Sequence, residues 1–152
     1  MARNMQISVQ TYIQPTRVSF KLPNCYDIDF TSAEVKGKAK LYTGKKPQDF
    51  QKNSNIAVEL DFDDIQNLVV LPVSKENHYQ IDALETEQAY TVVGTVRDLF
   101  DKVSGVPCSG FDVTTNTARF TIVDAQILPI RVKVGDWVQL TIVGLTLWDT
   151  NT

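Results

Sequence analysis

Apolar and polar side chains alternate with a period of two along most of the chain, the signature of strands with one buried face. Met5, Ile7, Val9, Thr11 and Ile13 alternate with Gln6, Ser8, Gln10, Tyr12 and Gln14. Pro15 then turns the chain, and Val18, Phe20 and Leu22 alternate with Arg17, Ser19 and Lys21, so the two runs read as a hairpin. Ile56, Val58, Leu60 and Phe62 give a further strand, and the continuous apolar run 68–71 predicts one buried on both faces and ended by Pro72. Residues 90–100 predict a long strand bent at Gly94, residues 117–130 another, and residues 137–148 a last strand with Gly144 inside it. The best helix candidate is 77–88, rich in Glu, Gln and Ala, and it reads equally as an irregular loop. Strands at this even spacing predict a mainly β chain with little helix, folded as a small barrel or a sandwich.

The 152 residues suit a single domain, and 43% apolar with 22% charged side chains is a globular composition. No apolar run is long enough to span a bilayer, and the first residues lack the apolar core of a signal peptide, so the expectation is a cytoplasmic chain that does not enter the membrane. Cys25 and Cys108 lie far apart without a Cys or His cluster and read as reduced thiols; a disulfide between them stays open. Net charge is -3, but its distribution is uneven. Eight basic and four acidic side chains fall in residues 1–50, three and ten in 51–101, and four and four in 102–152. That asymmetry points to a charged partner.

Catalytic patterns are missing. The single histidine, His78, lies in a polar stretch with no neighbouring nucleophile, and no phosphate-binding or dinucleotide glycine pattern occurs. Asp61, Asp63 and Asp64 lack the ligand spacing of a calcium loop and read as a solvated turn. The expectation is therefore a protein that is not an enzyme, with no metal, cofactor or small-molecule substrate.

Residues 34–46 carry the strongest positive signal. In an extended chain Lys36, Lys38, Lys40 and Tyr42 share one face, and Val35, Gly37, Ala39 and Leu41 the other. Lysines in line follow phosphates and release counterions, while an aromatic ring offers a platform for a base. Lys45 and Lys46 prolong the positive path, and Arg97 and Arg119 join it if their strands are neighbours. Lysines on an exposed edge strand also guard against aggregation, and that explanation stands beside the first. Phe20, Phe62 and Phe120 are in phase with aliphatic neighbours and read as core, whereas Tyr12 and Tyr42 fall on polar faces. Trp137 and Trp148 have opposite parity, so one of them is free for function.

The bent strand Val92-Val-Gly-Thr-Val-Arg97, the strand Arg119-Phe-Thr-Ile-Val123 and the phrase Val134-Gly-Asp-Trp-Val-Gln-Leu-Thr-Ile-Val-Gly-Leu145 resemble the OB-fold barrel of single-stranded DNA-binding proteins from bacteria, phages and conjugative plasmids. The resemblance implies a small closed or partly open β-barrel, its core in residues 56–148, with residues 1–50 as extra basic strands within one domain spanning 1–152. It also implies a homo-oligomer or cooperative array on single-stranded DNA, or RNA, in replication, recombination or transfer. Lys36, Lys38, Lys40, Arg97 and Arg119 would then meet phosphates, and Tyr12, Tyr42 and Trp137 bases. The ending Leu147-Trp-Asp-Thr-Asn-Thr152 departs from the acidic tail of the bacterial proteins. The alternative is a structural or assembly module, of a virion or tail for instance, on a similar β scaffold.

Overall fold

A computed structural model describes residues 5–13, 24–44, 55–85, 88–100, 110–123 and 132–150; within these, the side chains of residues 12, 13, 24 and 100 are left aside. Eleven strands follow one another: β1 (Met5–Ile13), β2 (Asn24–Thr31), β3 (Lys36–Thr43), β4 (Ile56–Asp61), β5 (Asp64–Val70), β6 (Gln80–Ala83), β7 (Tyr90–Phe100), β8 (Gly110–Thr114), β9 (Arg119–Val123), β10 (Trp137–Val143) and β11 (Thr146–Asp149). No helix occurs among the described residues, so none there is available to cross a membrane.

The strands form a closed five-stranded barrel, β1-β2-β3-β11-β4, and a second, curled sheet, β5-β10-β7-β8-β9, with β6 also on β7. In the barrel β11 runs parallel to β3 and antiparallel to β4. β1 closes the ring by pairing with β4 through Met5–Ile7 and with β2 through Ser8–Ile13. A register shift between Val9 and Thr11 bends it between the two partners, as bulges do. This is an OB-like barrel, an architecture that presents ligands with the face of its second and third strands and with the loop before its last strand. Here that loop has grown into the whole second sheet, since β5–β10 lie between β4 and β11 in the chain.

The barrel therefore draws three of its five strands from residues 1–50, and residues 56–148 are divided between barrel and second sheet. The amino-terminal strands β1–β3 are thus part of the ring itself, and the strands outside the ring are those of the second sheet. Alternation reveals that a strand exists and which face it buries, but its partners are set by pairings far away in sequence.

Four further expectations change. The strand expected over 137–148 is two strands in different sheets, separated at Gly144 (φ 74°). Residues 80–83, inside the helix candidate, form β6, because Ile81 buries itself against the sheet while Gln80–Ala83 pairs with β7. The apolar run in β5 is not buried on both faces: Val69 and Val70 are 46% and 42% exposed. Asn67 (φ 57°), a residue type that tolerates the left-handed region, sits at a register shift against β10, so Ile65 and Leu68 face inward three positions apart. In β7 the register shift falls between Val96 and Asp98; Gly94 is where the strand passes from β6 to β8 along the same edge. The segment around Phe20 that was expected to complete the first hairpin lies outside the described residues.

One apolar core joins the two sheets. Ile7, Leu41, Val58 and Leu147 from the barrel, and Val92, Ile122, Leu140 and Ile142 from the second sheet, are completely buried within it. Phe62, half-buried after β4, meets Phe120 of β9 at a centroid distance of 6.4 Å across the junction.

Candidate nucleic-acid interface

β3 has buried Ala39, Leu41 and Thr43 inward and exposed Lys36, Lys38 and Lys40 outward, followed on the outer face by half-buried Tyr42. The strand is paired by β2 along its length and by β11 over Lys40–Tyr42, and the Tyr90 hydroxyl donates to the Lys38 carbonyl. β3 is therefore an inner strand over Lys40–Tyr42, where protection of a free edge does not explain Lys40, while Lys36–Ala39 has a strand partner on the β2 side only, so that explanation still applies to Lys36 and Lys38.

The stripe is not purely basic. Across β2, Lys38 faces Asp29 and Lys40 faces Asp27 in register, and Lys38 Nζ lies 3.2 Å from Asp29 Oδ1. Asp29 accepts a hydrogen bond from Thr11 Oγ1, which, with Lys38, holds its carboxyl below the usual carboxylate range. Exposed ion pairs of this kind contribute about 0 to 1 kcal/mol, so a phosphate competes readily for Lys38. Lys36 and Lys40 have no ion pair among the described residues.

Two clefts border the stripe. One, about 640 Å³, has Lys36 and Lys38 on one wall and Leu84, Glu85 and Gln88 on the other. The next, about 400 Å³, is lined by Lys40, Tyr42, Asp63 and Thr146 together with the same Gln88. Gln88 is in the left-handed region (φ 58°), and its carbonyl accepts from Leu145 N. Leu84, Glu85 and Gln88, between β6 and β7, thus overlook β3, and the stripe becomes one side of a groove. At its far end Tyr42 stacks on Trp148, its register partner on β11, with centroids 4.3 Å apart and planes 11° from parallel. Burial and a hydrogen bond with the Cys25 thiol push the Tyr42 hydroxyl above its ordinary pKa, and burial likewise raises the Cys25 thiol.

Arg97, Arg119 and Trp137 lie apart from this groove. Arg119 is committed to the fold: Nε donates to Oδ2 of buried Asp112 at 2.5 Å, and Nη2 pairs with both Asp112 and Asp98. Thr121 Oγ1 donates to the second oxygen of Asp112. Arg97 is exposed on β7, and Trp137 packs against Tyr79 at 4.9 Å on the second sheet. A register shift in β1 places Thr11, not Tyr12, opposite Asp29; Tyr12 lies opposite Ile28. The Tyr12 side chain, Lys45, Lys46 and Cys108 are outside the described residues. His78 is exposed with Nδ1 3.0 Å from the Glu76 carbonyl, and Asp61 and Asp64 accept from the backbone amides that follow them.

Trp148, Gln88 and Leu84 join the groove without having been singled out in the sequence. Only Trp148 carried a signal, as one of two tryptophans of opposite parity, and its place beside Tyr42 depends on a parallel pairing across about a hundred residues of chain. The fold and this face define an all-β protein on an OB-like closed barrel, with an inserted sheet that walls a lysine-lined groove. Comparison with protein-family models, with curated proteins and with solved structures returned no match.

Proposed function

We propose that the chain binds single-stranded nucleic acid, DNA in the first instance, without catalysis and largely without regard to sequence, along the groove beside β3. One observation carries the reading: Lys36, Lys38 and Lys40 project in line from the outer face of an OB-like barrel and lead to the stacked Tyr42–Trp148 pair. Phosphates would follow the lysines at the two-residue repeat of the strand, and the rings would receive a base at the end of the row.

Fluorescence anisotropy with a labelled oligothymidine, titrated with salt, tests this. For single strands the logarithm of affinity falls with the logarithm of salt by about -0.7 per neutralised phosphate, so three lysines give a slope of about -2. Lys36→Ala with Lys40→Ala lowers its magnitude by about 1.4, and Tyr42→Leu costs about 1 to 3 kcal/mol of binding. Affinity that does not change with salt, or no binding at micromolar protein, rejects the proposal.

A second reading, an assembly module, draws support from Val69 and Val70 on edge strand β5 and from fully exposed Val73 beyond it. Size-exclusion chromatography of the same samples separates the two: this reading expects a stable oligomer indifferent to the oligonucleotide.

A further inference from the structure

We propose that a pocket on the outer face of the second sheet receives one unstacked guanine from the strand bound along β3, and so adds a base preference to the function proposed above. The inference rests on that function for its ligand, but on a different set of residues for its chemistry.

The pocket occupies about 370 Å³ between Tyr79 and Arg119, within the lower part of the range of small-ligand sites. Thr114 and Arg119 of its lining belong to a row set by strand register. Trp137 pairs with Thr95, Thr95 with Thr114, and Thr114 with Arg119, so these four positions form one row across β10, β7, β8 and β9. At one end of the row the Tyr79 hydroxyl is 3.3 Å from Thr95 Oγ1 and its ring packs on Trp137, which fixes an aromatic wall. At the other end Asp112 and Asp98 fix the Arg119 guanidinium. Arg97, Asp98 and Asn116 complete the lining.

Charge decides what this pocket accepts. Arg97 and Arg119 are balanced by Asp98 and Asp112, so a phosphate dianion gains no net attraction here, in contrast to β3. A neutral planar group bearing both donors and acceptors suits it better. Among the described residues Arg97 has no ion-pair partner, which leaves its forked N–H groups for an acceptor pair. Asp98 is half-exposed and retains acceptor capacity beside its contact with Arg119. Guanine offers O6 and N7 as paired acceptors to an arginine, and N1–H and N2–H2 as donors to a carboxylate, while its ring can lie on Tyr79.

The pocket is also held close to the β3 stripe. Glu34, two residues before Lys36, accepts hydrogen bonds from Thr115 Oγ1, Asn116 N, Thr117 N and Thr117 Oγ1. The β8–β9 turn that supplies Asn116 to the pocket is thereby fastened to the β2–β3 turn from which the lysines begin.

Anisotropy with a labelled oligothymidine, and with the same strand carrying guanines at its centre, tests the proposal. The guanine strand is expected to bind about tenfold tighter, as one good bidentate base contact provides. Arg97→Ala removes that preference while leaving oligothymidine affinity and its salt slope unchanged. Arg97→Lys, which keeps the charge and loses the planar fork, removes it as well. Equal affinity for the two strands, or a preference that survives either substitution, overturns the pocket and leaves the β3 reading standing. If neither strand binds, the β3 reading falls, and guanosine monophosphate alone decides the pocket. Quenching of tryptophan emission that Arg97→Ala abolishes supports it; unchanged emission overturns it.

Discussion

Gly37 and Tyr90 fit closely where barrel and second sheet meet. A Cβ on Gly37 would lie 2.1 Å from the Tyr90 hydroxyl oxygen and 2.7 Å from its ring, so the absence of a side chain lets the phenol reach the Lys38 carbonyl, where it donates at 2.5 Å. Tyr90 is 1% exposed, and burial raises its pKa from 10 to about 12. Folding therefore favours the neutral phenol. Its contribution is complete below pH 10 and is lost as pH rises through 12, a change of about 3 kcal/mol for two pKa units. Tyr90→Phe cannot make this loss. Urea unfolding at a series of alkaline pH values is expected to give a visibly flatter decline for Tyr90→Phe than for the unchanged protein between pH 10 and 12; parallel declines would show that Tyr90 is not the group responsible.

Legibility was greatest for elements and poorest for their neighbours. Alternation marked β1, β3 and β4 because each has one buried and one more exposed face. It also placed Lys36, Lys38, Lys40 and Tyr42 together, since a shared strand face is a local property. It did not distinguish Leu68 in the core from Val69 at the edge, because a left-handed Asn67 changes the inward parity without interrupting the apolar run. Nor did it separate β10 from β11. At Gly144 the chain leaves one sheet for the other with φ 74°, and a Cβ there would lie 2.2 Å from Asp63 Oδ2. Gly144→Ala is expected to destabilise the fold by about 1 to 3 kcal/mol, combining a left-handed backbone penalty with displacement of Asp63. Adding Asp63→Gly recovers only the part due to crowding, as measured by denaturant midpoints. Full recovery would mean that backbone conformation contributes nothing.

At the scale of the molecule, the separation of Arg97, Arg119 and Trp137 from the lysines could not be read from the chain, because it depends on how an inserted sheet docks on a barrel. The docking is extensive: a common core, the Phe62–Phe120 contact and four hydrogen bonds to Glu34 connect the two parts. They are expected to unfold together. With Trp137→Phe and Trp148→Phe, the remaining tryptophan reports on the barrel and on the second sheet respectively, and the two thermal midpoints should coincide once each variant's own stability is measured by circular dichroism. Fluorescence and circular dichroism transitions that separate within either variant would instead make the sheet an autonomous lobe.

The parallel seam between β3 and β11 also has a consequence for biosynthesis. Its two sides are separated by more than half the polypeptide, so β3 and β4, emerging early from a ribosome, lack the one partner that closes the ring. Ring closure must wait until translation has nearly reached Asp149. Such long-range pairing slows folding, and during that interval the nascent β3 and β4 have backbone edges open to any passing chain.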